Sequence, residues 1–380
     1  MKKLILLITT CFFWFSLYLY LPFLTPFLIS LGVSATLAGI IFGIHSITQL
    51  VLRFPIGIKS DQLGKQKPFI ILGMLFSAIA SIVMYFFPSP AMLFVGNAVS
   101  GFSSTMYVAF TVLYAKYYDK TQTNKAMGTI GAVVEVGILL SFLIGGALYQ
   151  NAGIRSLFFI SFCVAAAGTL ISFFVKEVPD KQVTIKTNDL LKLVKNKQLI
   201  ISSVLCIIIK AVVFATAFSF TPKIAQDIGA NGIEVGVINA MFIAASVLGS
   251  LFITTKAGMR LGNTKTSVLG FLILGLYSAA VPFVHNIPVF MLVQFIGGLG
   301  YASLTAIFMA NAIKHLNEDQ KAAGMGLYQA LYSAGSAAGP VILGIFADSF
   351  SYAAGFIAIA VVALGGMALS IGAGARKLMD

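Results

Sequence analysis

Charged residues make up only 10% of this 380-residue sequence, and just 12 positions are acidic. Soluble domains carry about 25% charge and about 45 to 50% apolar residues, so a chain that is 59% hydrophobic falls outside that class. Cysteine is as scarce. Cys11, Cys163 and Cys206 each sit inside an apolar run, which excludes both a disulfide framework and a zinc spacing and leaves them as small core hydrophobes. There is no HExxH helix, no GxxxxGK loop, no pair of acids inside one apolar run and no nucleophile beside a base. Metal-dependent hydrolysis, ATP-driven work and an intramembrane enzyme are therefore set aside, and no cofactor or metal is expected. A channel is set aside too, because no ring or re-entrant filter segment is visible. The net charge of +13 does not point to nucleic acid, since the 25 Lys and Arg are scattered singly between apolar runs.

What the sequence does have is length of apolar run. About 20 apolar residues cross a hydrocarbon core of about 30 Å as a helix, and lipid tolerates no unpaired backbone. Twelve such runs are expected, near 4–28, 36–58, 69–87, 91–115, 126–149, 154–175, 199–221, 232–254, 266–284, 289–313, 322–347 and 352–374. The opening Met1-Lys2-Lys3 and the apolar run to Leu28 are read as the first span rather than a secretory leader. That run is too long for a leader, contains Pro22 and Pro26, and shows no small-residue cleavage site. With the N-terminus placed inside, 21 of the 25 basic residues fall on the inner side, and only Arg155 and Lys223 fall outside. The expectation is a multi-pass, monomeric protein of the cell membrane with both termini cytoplasmic, its immediate partner the lipid bilayer.

The longest polar connector, residues 176–198, separates six runs from six. At an offset of 198 residues Met127-Gly128 falls on Met325-Gly326, Gly137 on Gly335, Gly146 on Gly344, Leu63-Gly64 on Leu261-Gly262 and Lys67 on Lys265. Coincidences in two separate places at one offset indicate a duplicated unit. The expected division is an N-terminal six-helix bundle over 1–177, a cytoplasmic linker over 178–198 and a C-terminal six-helix bundle over 199–380. Parallel repeats of this kind place a midplane site between two rocking bundles.

The stretch after the second run reads Gly57-Ile58-Lys59-Ser60-Asp61-Gln62-Leu63-Gly64-Lys65. It resembles the Gly-x-x-x-Asp-x-x-Gly-basic signature of the major facilitator superfamily, in which Gly57 and Gly64 would permit tight turns and Asp61 an ion pair or helix-end contact that biases a gate. The second copy has Met259 at the acid's position. The eleventh run contains Gly335, Gly339 and Pro340, which look like the Gly-Pro pattern that antiporters of this family carry in their fifth span; here the fifth has Ser141 and Phe142 instead. Small residues permit close helix approach and Pro340 a bend. In the fourth run Asn97 stands where many proton-coupled members have Arg. The resemblance implies an all-α fold of twelve transmembrane helices in two pseudo-repeat bundles. It also implies secondary active transport of a small substrate by alternating access, drug/proton antiporter-like.

An ionisable group at mid-membrane costs at least about 2.5 to 3.5 kcal/mol, so each one is a functional candidate. Glu135 is the only acid deep in a run and shares a helical face with Gly128, Gly131, Leu139 and Phe142. It is a candidate proton-coupling residue or substrate contact, and alternatively the structural partner of a buried base. Lys210 lies in the seventh run, which in the resembled family lines the central cavity with the first, fourth and tenth. It is a candidate for an anionic group or for an ion pair that breaks as the bundles rock. Arg53, a turn from the end of the second run, is assigned to snorkelling or to reaching Asp61, hence to gating. His45 is read as hydrogen-bonded to a neighbour. Tyr18, Tyr107, Phe214 and Asn311 complete the candidate cavity. Its aromatic lining suits an amphipathic substrate better than a sugar. Proton-coupled efflux is the expected activity, with proton-linked uptake or uniport of a metabolite as the alternative.

Overall fold

The computed structural model describes residues 1–119, 122–178, 193–253, 256–316 and 318–375; the side chains of Ile58, Asp61, 123–124, 251–253, 256–261 and 318–322 lie outside that description. Every secondary-structure element among the described residues is helical. Eleven helical stretches are long and apolar enough to cross a membrane. One of them, Thr123–Ser172, is two spans joined at Gly153, whose φ of 68° only glycine adopts without strain. The chain thus has twelve spans.

Numbered in order, spans 2, 3, 8, 10, 11 and 12 are Ala35–Leu63, Lys67–Phe86, Gly232–Ile253, Ile287–Ile313, Glu318–Ser349 and Tyr352–Ala375. Spans 5 and 6 lie before and after Gly153, and span 9 is Lys256–Ala280 with a break at Gly262. Spans 1, 4 and 7 are interrupted. Span 1 breaks between Lys2–Tyr18 and Leu21–Ser30, just before Pro22, and span 4 breaks at Met106 between Pro90–Thr105 and Tyr107–Lys116. Span 7 runs Lys197–Ala215, makes one π-turn over Thr216–Phe220 and finishes as Thr221–Asp227. Broken helices inside a bilayer survive only where the freed backbone groups are buried in protein or line a cavity, so these breaks point at the centre of the molecule.

One expectation is corrected here. The stretch beginning at Gly57 is not a loop, because span 2 stays helical to Leu63 and the reversal is confined to Gly64, at φ 61°, and the residues up to Gln66. Only Gly64 of the two motif glycines meets a conformational demand. Its repeat partner Gly262, 198 residues later, also has a positive φ, 74°.

An even number of spans brings both ends of the chain to one face, called here the terminal face. The two bundles meet tightly on the opposite, far face. In the seam of spans 2 and 11, a Cβ on Gly39 would lie 2.4 Å from the Pro340 carbonyl oxygen, and one on Gly344 would lie 2.4 Å from that of Ala35. In the seam of spans 5 and 8, a Cβ on Gly236 would lie 2.5 Å from the Phe142 oxygen and one on Gly146 2.7 Å from that of Gly232. Small residues let backbones touch where lipid gives no hydrophobic drive for association. On the terminal half the pattern reverses: Gly57, Gly128, Gly131 and Gly326 have nothing within 4 Å of an added Cβ. Gly128 and Gly131 share a helical face with Phe142, which is fully buried at the centre, so the open space they border is the gap between the bundles. Among the described residues the bundles are in backbone contact at the far face and border open space on the terminal half.

Candidate functional site

The interrupted spans bring an aromatic cluster to the closed end of that gap. Trp14 and Tyr18 of span 1 lie 5.4 Å apart between ring centroids, Trp14 meets Tyr107 of span 4 edge-on at 5.0 Å, and Tyr18 lies 6.1 Å from both Phe142 and Phe218. Edge-to-face contacts at these distances hold rings in fixed orientations. A cavity of about 10 Å³, room for about one water, sits beside Tyr18, His45, Ser46 and Phe214.

Lys210 stands at the edge of the cluster. Its ammonium donates to the Tyr301 hydroxyl of span 10 at 2.6 Å. It lies 4.9 Å from the Tyr301 ring centre, 5.1 Å from that of Tyr332 in span 11 and 5.8 Å from that of Phe214. Three ring faces and a hydroxyl are what the side chain has in place of water. No carboxylate among the described residues is within ion-pairing distance of it. The alternative reading, in which Glu135 is the partner of a buried base, is not realised at Lys210 in this conformation. The Glu135 carboxyl is half-buried and its Oε2 has no hydrogen-bond partner.

Arg53 differs from expectation. It neither snorkels nor leaves the protein, being 4% exposed, and its guanidinium donates to Gln49 Oε1, to the backbone oxygen of Gln329 at 3.3 Å and to the Tyr332 hydroxyl at 3.4 Å. It ties span 2 to span 11 at the point where the seam gives way to open space. Among the described residues its partners are all neutral and its Nε has none; the Asp61 side chain, the other expected partner, lies outside them. Tyr18, Tyr107, Phe214 and Lys210 are thus brought together through ring contacts, whereas Asn311 is buried ten residues beyond Tyr301 on span 10, about 15 Å along the axis and outside the cluster. His45 bonds Ser100 at 3.2 Å and Ser104 at 3.3 Å, and Asn97 donates to the Ile41 carbonyl at 3.1 Å, so both serve packing between spans 2 and 4.

In the motif region the Asp61 side chain lies outside the described residues, Lys65 stands in the turn, and Gly57 borders open space. Pro340 lies within an unbroken helix, and its carbonyl is the atom that span 2 packs against. Gly335 and Gly339 press on span 7 instead: an added Cβ would fall 1.9 Å from the Ile207 oxygen and 2.0 Å from that of Ala211. No group of three or more metal-ligating side chains occurs among the described residues.

Sequence reading missed the carboxylates at span ends. Asp348 accepts from the Ala35 amide at 2.9 Å and the Thr36 amide at 2.8 Å, capping span 2 from the end of span 11. Gln150 accepts from the Gly232 amide at 2.7 Å, capping span 8 from the end of span 5. These two sites are 198 residues apart, so the repeat offset itself carried the signal. Glu177 caps span 3 through the Gln66 and Lys67 amides at 2.9 and 2.7 Å, within the first bundle. Beside it the Tyr117 hydroxyl, held by the Lys176 carbonyl, is pushed up to about 12 by burial and by the Glu177 charge.

Two pseudo-symmetric helical bundles, in backbone contact at one face over buried charges and broken helices, have the architecture of an α-helical membrane transporter. The chain belongs to the Major Facilitator Superfamily, whose profile matches residues 6–223 and again 203–376. It is 28% identical over 161 residues to the inner membrane transport protein YajR of Escherichia coli K12; that match spans 42% of this chain and only 35% of YajR. The multi-drug resistance efflux pump PmrA of Streptococcus pneumoniae is 25% identical over 366 residues, 90% of this chain and 88% of the pump. In fold the chain superposes with a TM-score of 0.82, at 13% identity and over 100% of its length and 97% of the other chain, on a bacterial homolog of the human lysosomal transporter Spinster in an inward-facing, unoccupied conformation.

Proposed function

We propose that this protein is a proton-linked carrier of small amphipathic organic molecules, which it moves by rocking the 1–177 bundle against the 199–380 bundle about the Glu135–Lys210 site. The observation that carries the reading is Glu135: a half-buried carboxyl with an unpartnered oxygen, on the helix face that borders the open gap. An acid in that position exchanges protons with the open side and is cut off from it when the seams close. Export across the cell membrane is the direction favoured by the multidrug efflux pump among its relatives. The basic bias of the connectors supports a cytoplasmic terminal face, hence an inward-open state here, acting as a monomer.

Wild type and Glu135→Gln, reconstituted in liposomes, provide the test. A fluorescent amphipathic dye is followed both in counterflow and under an imposed pH gradient. Glu135→Gln keeps size and hydrogen bonding but removes titration. Counterflow is expected in both proteins, with gradient-driven accumulation in wild type alone. Equal response to the gradient would place the coupling elsewhere.

A further inference from the structure

The charged side chains at the heart of the described residues do not balance. Arg53 and Lys210 are two cations, and Glu135 is the single acid among the described residues there. Arg53 spends its hydrogen bonds on a Gln oxygen, a backbone carbonyl and a tyrosine hydroxyl. Lys210 has one hydrogen-bond partner, the Tyr301 hydroxyl, and three aromatic faces. With Glu135 ionised the sum is one positive charge. Burying an uncompensated ammonium is expensive unless it is paired or regains water, and an ammonium offers three donors of which the protein occupies one.

The surroundings of the unpaired charge are those of a binding site. Lys210 comes from span 7 six residues before the π-turn, Tyr301 from span 10 and Tyr332 from span 11, and all three are half-buried beside the gap rather than sealed in a bundle core. Two further buried atoms in the same region lack partners, Glu135 Oε2 and the indole Nε1 of Trp14. Trp14 is a donor with nothing to donate to, set among Tyr18 and Tyr107.

We infer that the transported molecule is an organic monoanion, its carboxylate-type head taken by the Lys210 ammonium and its flat apolar body seated against Trp14, Tyr18, Tyr107 and Phe214. One negative charge brings the buried sum to zero, fills the free donors of Lys210 and leaves Arg53 to its structural bonds between spans 2 and 11. The inference deepens the carrier reading and rests on it. It assigns to Lys210 the recognition of charge and to the aromatic cluster the recognition of shape.

Three probes of one shape separate the possibilities: naphthoate, naphthamide and naphthylmethylammonium. Binding to the full-length protein in detergent is measured by thermal shift, and exchange by counterflow in liposomes. Naphthoate is expected to bind at least about tenfold tighter than the amide, with the ammonium weakest, as for a charge-assisted bond in a partly dry site. Lys210→Gln is expected to shrink the naphthoate-to-amide ratio to below about twofold, and Lys210→Arg to restore most of it. If Lys210→Gln does not fold, the ranking of the three probes on wild type still decides. Equal binding of acid and amide, or preference for the ammonium, overturns the inference. Exchange of the ammonium without the acid would leave the carrier reading standing and this one refuted; exchange of none of the three would overturn both.

Discussion

The carboxylate of Asp348, the penultimate residue of span 11, receives the amide of Thr36 at 2.8 Å and that of Ala35 at 2.9 Å, so the last turn of one bundle closes the first turn of the other. A helix start has amides without internal partners and a positive dipole end, and a carboxylate answers both needs. Because the bond crosses the far-face seam, it exists only while that face is shut. Its repeat partner, Gln150 on Gly232, makes the same clasp with a neutral group and one bond. The far face is held by two clasps of unequal strength.

Asp348→Ala is therefore expected to favour opening of the far face. An exposed cap with helix-dipole attraction is worth about 1 kcal/mol, a shift of roughly fivefold in the closed-to-open ratio. Spin labels placed across spans 2 and 11 would show it as a gain in the longer distance population. Gln150→Ala should act in the same sense but less. An unchanged distance distribution in Asp348→Ala would reduce the clasp to a helix cap with no part in gating.

Glycines of the repeat divide into those pressed against a neighbouring helix and those beside open space, which gives a paired test. Gly335→Ala places a methyl 1.9 Å from the Ile207 oxygen, and spans 7 and 11 must part to admit it. The expected cost is about 1 to 3 kcal/mol, seen as a lower midpoint in thermal unfolding in detergent. Gly326→Ala, nine residues earlier on the same helix, meets open space and is expected to leave the midpoint unchanged.

Arg53 holds the terminal end of the seam between spans 2 and 11. Arg53→Lys keeps the charge but loses the planar fork that reaches Gln49, Gln329 and Tyr332 together. Slower counterflow with unchanged probe affinity is the expected result, since the residue ties helices rather than touching cargo. A loss of naphthoate affinity equal to that of Lys210→Gln would instead make Arg53 part of the anion site.

For orientation, a cysteine at Gln182, in the connector between the halves, is expected to resist an impermeant maleimide in intact cells and to react after permeabilisation. At matched expression, Asp61→Asn is expected to slow transport more than Met259→Asn, because only the first copy retains the acid. Equal rates in the two variants would mean that Asp61 serves topology alone.

Much of this was legible along the chain. Twelve spans, their repeat and the isolation of Glu135, Lys210 and Arg53 in apolar surroundings follow from run length, a fixed offset and charge depth, each readable from one segment or a pair of aligned ones. The turn expected at Gly64 is there, but the one expected at Gly57 is not, because a helix that leaves the membrane carries no apolar signal to mark its end. What Lys210 and Arg53 bind was not legible. Tyr301 is 91 residues from Lys210, and Gln329 and Tyr332 are 276 and 279 from Arg53, so only the packing of whole spans decides which side chains meet. The same holds for Asp348, 312 residues from Thr36, whose role exists only in the conformation that closes the far face. Hydropathy and spacing are local properties of a chain in lipid, whereas partnership and gating depend on which backbones can approach, and that was settled by small residues on helices far apart in sequence.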